Sequence, residues 1–357
     1  MLKFIPIFLF YLLFSYTAYC QNKFEKIDFS EVDKFAKSVK YKDDIFNLTH
    51  TLTTPYNTDI LKVRAIFIWI TDNIEYDYKM YNEGTQQNFS CTGKKDVCET
   101  AKIAFENDFI TTVLNKQKGI CSGYARLFKK MCEIANIKSE TVSGYTKKSA
   151  HQIGISLSVS HDWNAVQIDS SYYFLDATWA AGYCPINDET GKLKDYTKRY
   201  NNYYWLTPFY KLAQNHFPTN EKWIPEKKYN KEWFFNSPYY AQHAIEKIIL
   251  TNPTTGMLNK NKNDTIHFEF NYTDKINTIL INTNNYQNPT LPLYKTSNGE
   301  IKVRSNDSLL LKRIRYIPFI QKGNTYTFDY IVTEQTLSFL EILLDYRVAM
   351  KFKIKVN

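Results

Sequence analysis

The chain has 357 residues and a mass of 42.1 kDa, with 44% hydrophobic, 23% charged and 16% aromatic residues and only 11 Gly and 11 Pro. This balance excludes a disordered polar chain, a collagen-like repeat and a small disulfide scaffold, and the length suffices for one large or two ordinary domains, each with its own core. The 45 Lys and Arg outnumber the 36 Asp and Glu, for a formal net charge of +9, but the charges are interspersed and do not point to nucleic acid as a partner.

At the N-terminus, Lys3 precedes the apolar run Phe4–Phe14 and small residues at Ala18 and Cys20. This reads as a secretory signal over residues 1–20, cleaved after Cys20, so the mature chain is expected to be exported. A lipid anchor on Cys20 is the rival, disfavoured by the bulk of Tyr19. No stretch is long and apolar enough to predict stable membrane insertion. Of the five remaining cysteines, Cys91 and Cys98 share a polar loop and are the expected disulfide in an oxidising compartment. The cysteine spacing does not suit zinc, and no cofactor is expected.

Residues 24–80 read as helical. Thr58 or Asp59 opens a helix carrying Leu61, Ala65, Ile66, Ile68, Trp69 and Ile70, apolar nearly all round and therefore buried, which Asp72-Asn73 ends. A polar loop is expected over residues 81–96, then a helix over Val97–Leu114. From Cys121 a third helix places Tyr124, Leu127, Phe128, Met131, Ile134 and Ala135 on one face, and Asn136 closes it. Strands are expected at Ser139–Tyr145, Ile153–Val159, Asp162–Ile168 and Tyr172–Asp176. Residues 183–204 are polar, and Trp205–Trp223 are rich in aromatics. Beyond residue 240, Ile266/Phe268/Phe270/Tyr272, Tyr326/Phe328/Tyr330 and Val348/Met350/Phe352/Ile354/Val356 alternate at period two. Turns are expected at Asn284-Asn285, Ser297-Asn298-Gly299 and Lys322-Gly323-Asn324. Lys351, Lys353 and Lys355 are expected on the solvent face of their strand, where such residues also guard an edge. The fold class is α+β: helices on an antiparallel sheet over residues 21–235, then an all-β, sandwich-like domain over 240–357.

The chemistry concentrates between Gly119 and Trp179. Cys121 begins a helix, where unpaired N–H groups and the helix dipole favour a thiolate and supply donors for an oxyanion. A buried, inert thiol is the competing reading of Cys121, and Cys132 on the same helix reads as plain core. A thiol nucleophile needs a base, and His161 opens the segment HDWNAVQI. With a two-residue turn at Asp169-Ser170, Asp176 faces Trp163 and is a diagonal neighbour of His161, close enough to orient the imidazole. That register is an assumption, since a one-residue slip would put the two on opposite faces.

The stretches GICSGYARLFKKMCEIANI, SHDWNAVQI and YYFLDATWAAGY resemble the transglutaminase-like superfamily, and are most similar to its kyphoscoliosis-peptidase-like branch. VRAIFIWITDNIEYD upstream, and YYWLTPFYKLAQNHFP with Lys222-Trp223 downstream, extend the resemblance over about residues 60–225. The resemblance implies a papain-like α+β fold and a triad in which Cys121 is nucleophile, His161 base and Asp176 orienting acid. Asp162 departs from the branch, which usually has Ala there. Trp69 and Tyr76 are candidates for a second oxyanion donor, with a core role favoured for Trp69. The expected function is an exported thiol enzyme acting on amide bonds of proteins or peptides through a thioester, with hydrolysis favoured over cross-linking. The alternative is a catalytically silent exported module that binds peptides or proteins.

Overall fold

In the computed structural model, the structure describes residues 24, 26–42, 44–86, 89–187, 189–284, 293–295, 301–303 and 315–357. The expected signal over residues 1–20, the rival anchor at Cys20 and the turn at Ser297-Asn298-Gly299 lie outside the described residues. Contact density divides the chain into two compact units. The first holds the described residues up to Thr141 together with Trp163–Pro208; the second holds Val142–Asp162 together with Phe209–Asn357.

The first unit opens with three helices, α1 (Ser30–Ser38), α2 (Ile45–Thr53) and α3 (Asp59–Asn73). Asp44 caps α2 by accepting the N–H groups of Phe46 and Asn47. Helix α3 is apolar on nearly every face and accordingly central: Val63, Ala65, Ile66, Phe67, Ile68, Trp69 and Ile70 are all buried. Arg64, also buried there, is held by both carboxylate oxygens of Asp33 at 2.7 Å and stacks on Phe29 and Trp205. The loop expected over residues 81–96 is partly helical, because Asp77 caps α4 (Tyr78–Glu83) and Gly84 closes it in the left-handed region. Helix α5 (Lys95–Lys116) extends beyond Val97–Leu114 by two polar residues at each end, Lys95 and Asp96, and Asn115 and Lys116. The short strand β1 (Glu75–Tyr76) pairs in parallel with β2 (Lys118–Gly119), which leads into α6 (Cys121–Ile134).

In the first unit β4 (His161–Ile168), from Trp163 on, pairs antiparallel with β5 (Ser171–Leu175), and in the second unit β3 (Ser139–Thr146) pairs antiparallel with β8 (His216–Pro218) through Gly144–Thr146. After β5 come α7 (Ala177–Ala181) and the pair β6 (Gly182–Tyr183) and β7 (Thr197–Lys198), and α8 (Phe209–Leu212) belongs to the second unit. The strand expected at Ile153–Val159 does not form. Gly154 turns the chain at φ +71°, and Ile155 and Val159 stay about half exposed, so the apolar alternation has no face to cover.

In the second unit, α9 (Lys231–Asn236) and β9 (Tyr239–Tyr240) lead into two sheets. One has the order β10 (Ile248–Asn252), β12 (Thr265–Tyr272), β18 (Thr325–Ile331), β17 (Ile320–Lys322). The other runs β11 (Met257–Lys260), β20 (Arg347–Val356), β19 (Phe339–Leu344), β13 (Ile279–Thr283), β16 (Arg315–Ile317), with β9 also on β20. A separate hairpin pairs β14 (Leu293–Lys295) with β15 (Ile301–Val303). The period-two residues form the core between the sheets: Phe268 stacks on Phe328 within one sheet and meets Phe352 of the other edge-on at 5.3 Å. The lysines of β20 correct one expectation. That strand is paired on both sides, so it is not an edge; Lys351 pairs with Glu341, and Lys353 donates to the carbonyls of His151 and Ile153.

Candidate active site

Cys121 is the first residue of α6 and is partly exposed. The apolar face read from the sequence anchors the helix, with Tyr124, Leu127, Phe128, Met131 and Cys132 buried. Burial pushes the Cys132 thiol well above the ordinary range, so it is core. The approach to Cys121 is held by backbone: Asp77 N–H donates to the Gly119 carbonyl at 3.0 Å, next to the β1–β2 pair. A Cβ on Gly123 would lie 3.2 Å from Val113, so the missing side chain lets α5 close against α6. The Tyr124 hydroxyl donates to the Ile74 carbonyl at 2.5 Å, tying α6 to the end of α3.

Asp176 follows β5 directly. Ile168 pairs with Ser171 and Asn164 with Leu175, so the turn is Asp169-Ser170, both at positive φ (48° and 69°). One step beyond Asn164 and Leu175, Asp176 comes level with Trp163, the register that the sequence suggests. Asp176 is fully buried, and its carboxylate accepts the Trp179 N–H at 3.0 Å as the N-cap of α7. Asn164 also donates its side-chain N–H to the Ala125 carbonyl at 2.9 Å, fastening β4 to the helix that begins with Cys121.

His161 is the first residue of β4 and is buried. Asp162 points to the opposite face, accepting the Ser143 hydroxyl at 2.5 Å. A second histidine, His216, begins β8 and is 1% exposed; its ring lies edge-on to that of His161, with centroids 5.3 Å apart. His216 was not singled out from the sequence. Its segment, QNHFP, lies inside the downstream stretch that carries the family resemblance, but nothing local marks the histidine as near His161.

Of the two oxyanion candidates, Trp69 is fully buried and its indole N–H donates to the Val39 carbonyl at 3.0 Å, so it belongs to the core. Tyr76 is half-buried. Burial raises its phenol far above the ordinary range, and Cys121 and Asp176 add to the effect, so the hydroxyl keeps its proton in their field. Tyr76 also lines a cleft of about 620 Å³ with Asp77, Tyr78, Met80, Lys118 and Asp195. The expected disulfide is present, joining Cys91 and Cys98 with Cα atoms 5.7 Å apart. Among the described residues no helix is long and apolar enough to cross a membrane.

A family model of the transglutaminase-like superfamily matches residues 47–177, a span that includes Cys121, His161 and Asp176. Kyphoscoliosis peptidases of Mus musculus and Homo sapiens are each 32% identical over 234 residues, or 64% of this chain and 32% of theirs. The chain thus spans about a third of the length of these curated relatives. Hillarin of Drosophila melanogaster is 26% identical over 213 residues, covering 56% of this chain and 23% of hillarin. A solved TGase structure aligns over 46% of this chain and 37% of its own at 16% identity, with a TM-score of 0.25, too low to carry an argument. The family match rests instead on residues 47–177, which are a transglutaminase-like superfamily domain.

Proposed function

We propose that this chain is an exported thiol enzyme acting on amide bonds of proteins or peptides, with Cys121 as nucleophile, His161 as base and Asp176 as the acid that orients it. The observation that carries the reading is the placing of Cys121 at the start of an anchored helix, within the same family-matched span as the buried His161 and Asp176. In the reaction, the Cys121 thiolate attacks the amide carbonyl, and positive charge at the helix N-terminus stabilises the oxyanion. The imidazolium of His161 gives its proton to the leaving amine as the C–N bond breaks, leaving a thioester on Cys121. Water, deprotonated by His161, then attacks the thioester, releasing a carboxylic acid and restoring the thiol.

Water is the proposed acceptor, ahead of a second amine. The test is turnover of denatured casein, read as new amine termini, alongside incorporation of a dansylated amine. Wild-type chain should release termini and Cys121→Ala should not. Turnover that survives in Cys121→Ala would refute the assignment, and amine incorporation exceeding release would reverse the preference for hydrolysis.

A further inference from the structure

Two imidazoles, those of His161 and His216, meet edge-on beside strand β3. Strand β3 pairs with β8 in the register Gly144 to Pro218, Tyr145 to Phe217 and Thr146 to His216, so His216 shares a face with Thr146 and Gly144. On the other side of β3, the Ser160 N–H donates to the Gly144 carbonyl at 3.1 Å, and Asp162 meets Ser143. Asp162 therefore takes the Ser143 face, and His161, one residue earlier, takes the face of Gly144 and Thr146. Strands on either side of a third are about 9.6 Å apart, two ladder spacings. The two rings close that gap from opposite sides of β3, with His216 standing level with Thr146. The result is the edge-on pair at 5.3 Å with an interplanar angle of 60°.

His216 is in turn fixed from behind. Its Nδ1 lies 2.6 Å from the Asn215 side-chain oxygen, which can only accept, so Nδ1 carries a proton. The ring is buried, and its strand ladder sets its direction.

We propose that His216 is a positioning residue: its ring, packed edge-on against that of His161, holds the His161 imidazole in the orientation that pairs with Cys121. This rests on the reading of His161 as the base. A positioned imidazolium stabilises the Cys121 thiolate at pH values where an ordinary thiol is protonated, so the pH midpoint of Cys121 alkylation reports the orientation directly. A purely structural role for His216 would change stability and leave that midpoint alone.

The experiment measures iodoacetamide alkylation of Cys121 against pH in the full chain for wild type, His216→Ala and His216→Phe, with thermal unfolding as the check on folding. Phe keeps the ring contact if Ala fails to fold. In wild type the midpoint should lie well below about 8.5, the ordinary thiol value. His216→Ala should raise it by about one unit, which is about tenfold slower labelling at pH 6. His216→Phe should stay within about threefold of wild type, because the edge contact survives. Wild-type midpoints retained in both variants, or an equal loss in both, would overturn the positioning role while leaving His161 as base. An ordinary midpoint in wild type would overturn the base reading itself, and the positioning role with it.

Discussion

The carboxylate of Asp176 accepts the backbone N–H of Trp179 at 3.0 Å, so the residue proposed to orient the base is also the N-cap of the helix that follows. One oxygen serves the fold, and the charge is proposed to serve the chemistry. The two roles separate by substitution. Asp176→Asn keeps a capping oxygen and loses the charge, whereas Asp176→Ala loses both. Asparagine should hold thermal stability near that of wild type and lose most amide turnover. Alanine should lose turnover equally and about 1 kcal/mol of stability besides. Turnover retained in Asp176→Asn would remove Asp176 from the triad.

Tyr76 offers a second test of the site. Burial keeps its phenol protonated far above neutrality, so across the working pH range it is a donor and never a phenolate. If that donor meets the oxyanion, Tyr76→Phe should lower kcat by about 100-fold with little change in KM. The acid and base limbs of the pH profile should not move. An unchanged kcat would leave the second oxyanion donor elsewhere.

Lys147 gives a pH dependence that is independent of catalysis. Its ammonium is buried and donates to the carbonyls of Phe234 and Ser237 and to the Ser237 hydroxyl, joining the end of β3 to the end of α9. Burial, reinforced by the charge of Lys353, lowers its pKa to about 7. The folded chain therefore binds fewer protons than the unfolded chain between pH 7 and about 10.4, the ordinary lysine value, and stability rises with pH across that window. Below pH 7 both states hold the proton and the contribution is flat. Against Lys147→Met, wild-type chain should gain urea resistance steadily from pH 7 to pH 9. A difference that does not change with pH would contradict the shift.

What the sequence disclosed, and what it withheld, divide along physical lines. The start of α6 at Cys121 was legible because apolar residues at helical spacing begin there. The β4–β5 turn was legible because Asp169 and Ser170 are residues that tolerate positive φ. Both are local signals. Ile153–Val159 misled because alternation shows only that a strand is possible, and Gly154 turns the chain away from any partner. The lysines of β20 misled for the converse reason, since pairing on both sides of a strand leaves no trace in its own residues. His216 was missed because its place depends on the pairing of Thr146 with a residue far along the chain.

The most direct test of the central claim is to map which thiol reacts at pH 6. Five cysteines lie beyond Cys20: Cys91 and Cys98 are joined, Cys132 is buried, and burial with Asp195 nearby pushes Cys184 up to about 11. A thiolate at Cys121 should therefore take one equivalent of iodoacetamide, located by mass spectrometry of peptides, and amide turnover should fall in step with its modification. Labelling spread over Cys184 and Cys121 at the slow rate of ordinary thiols, or turnover that persists after Cys121 is fully alkylated, would contradict the account.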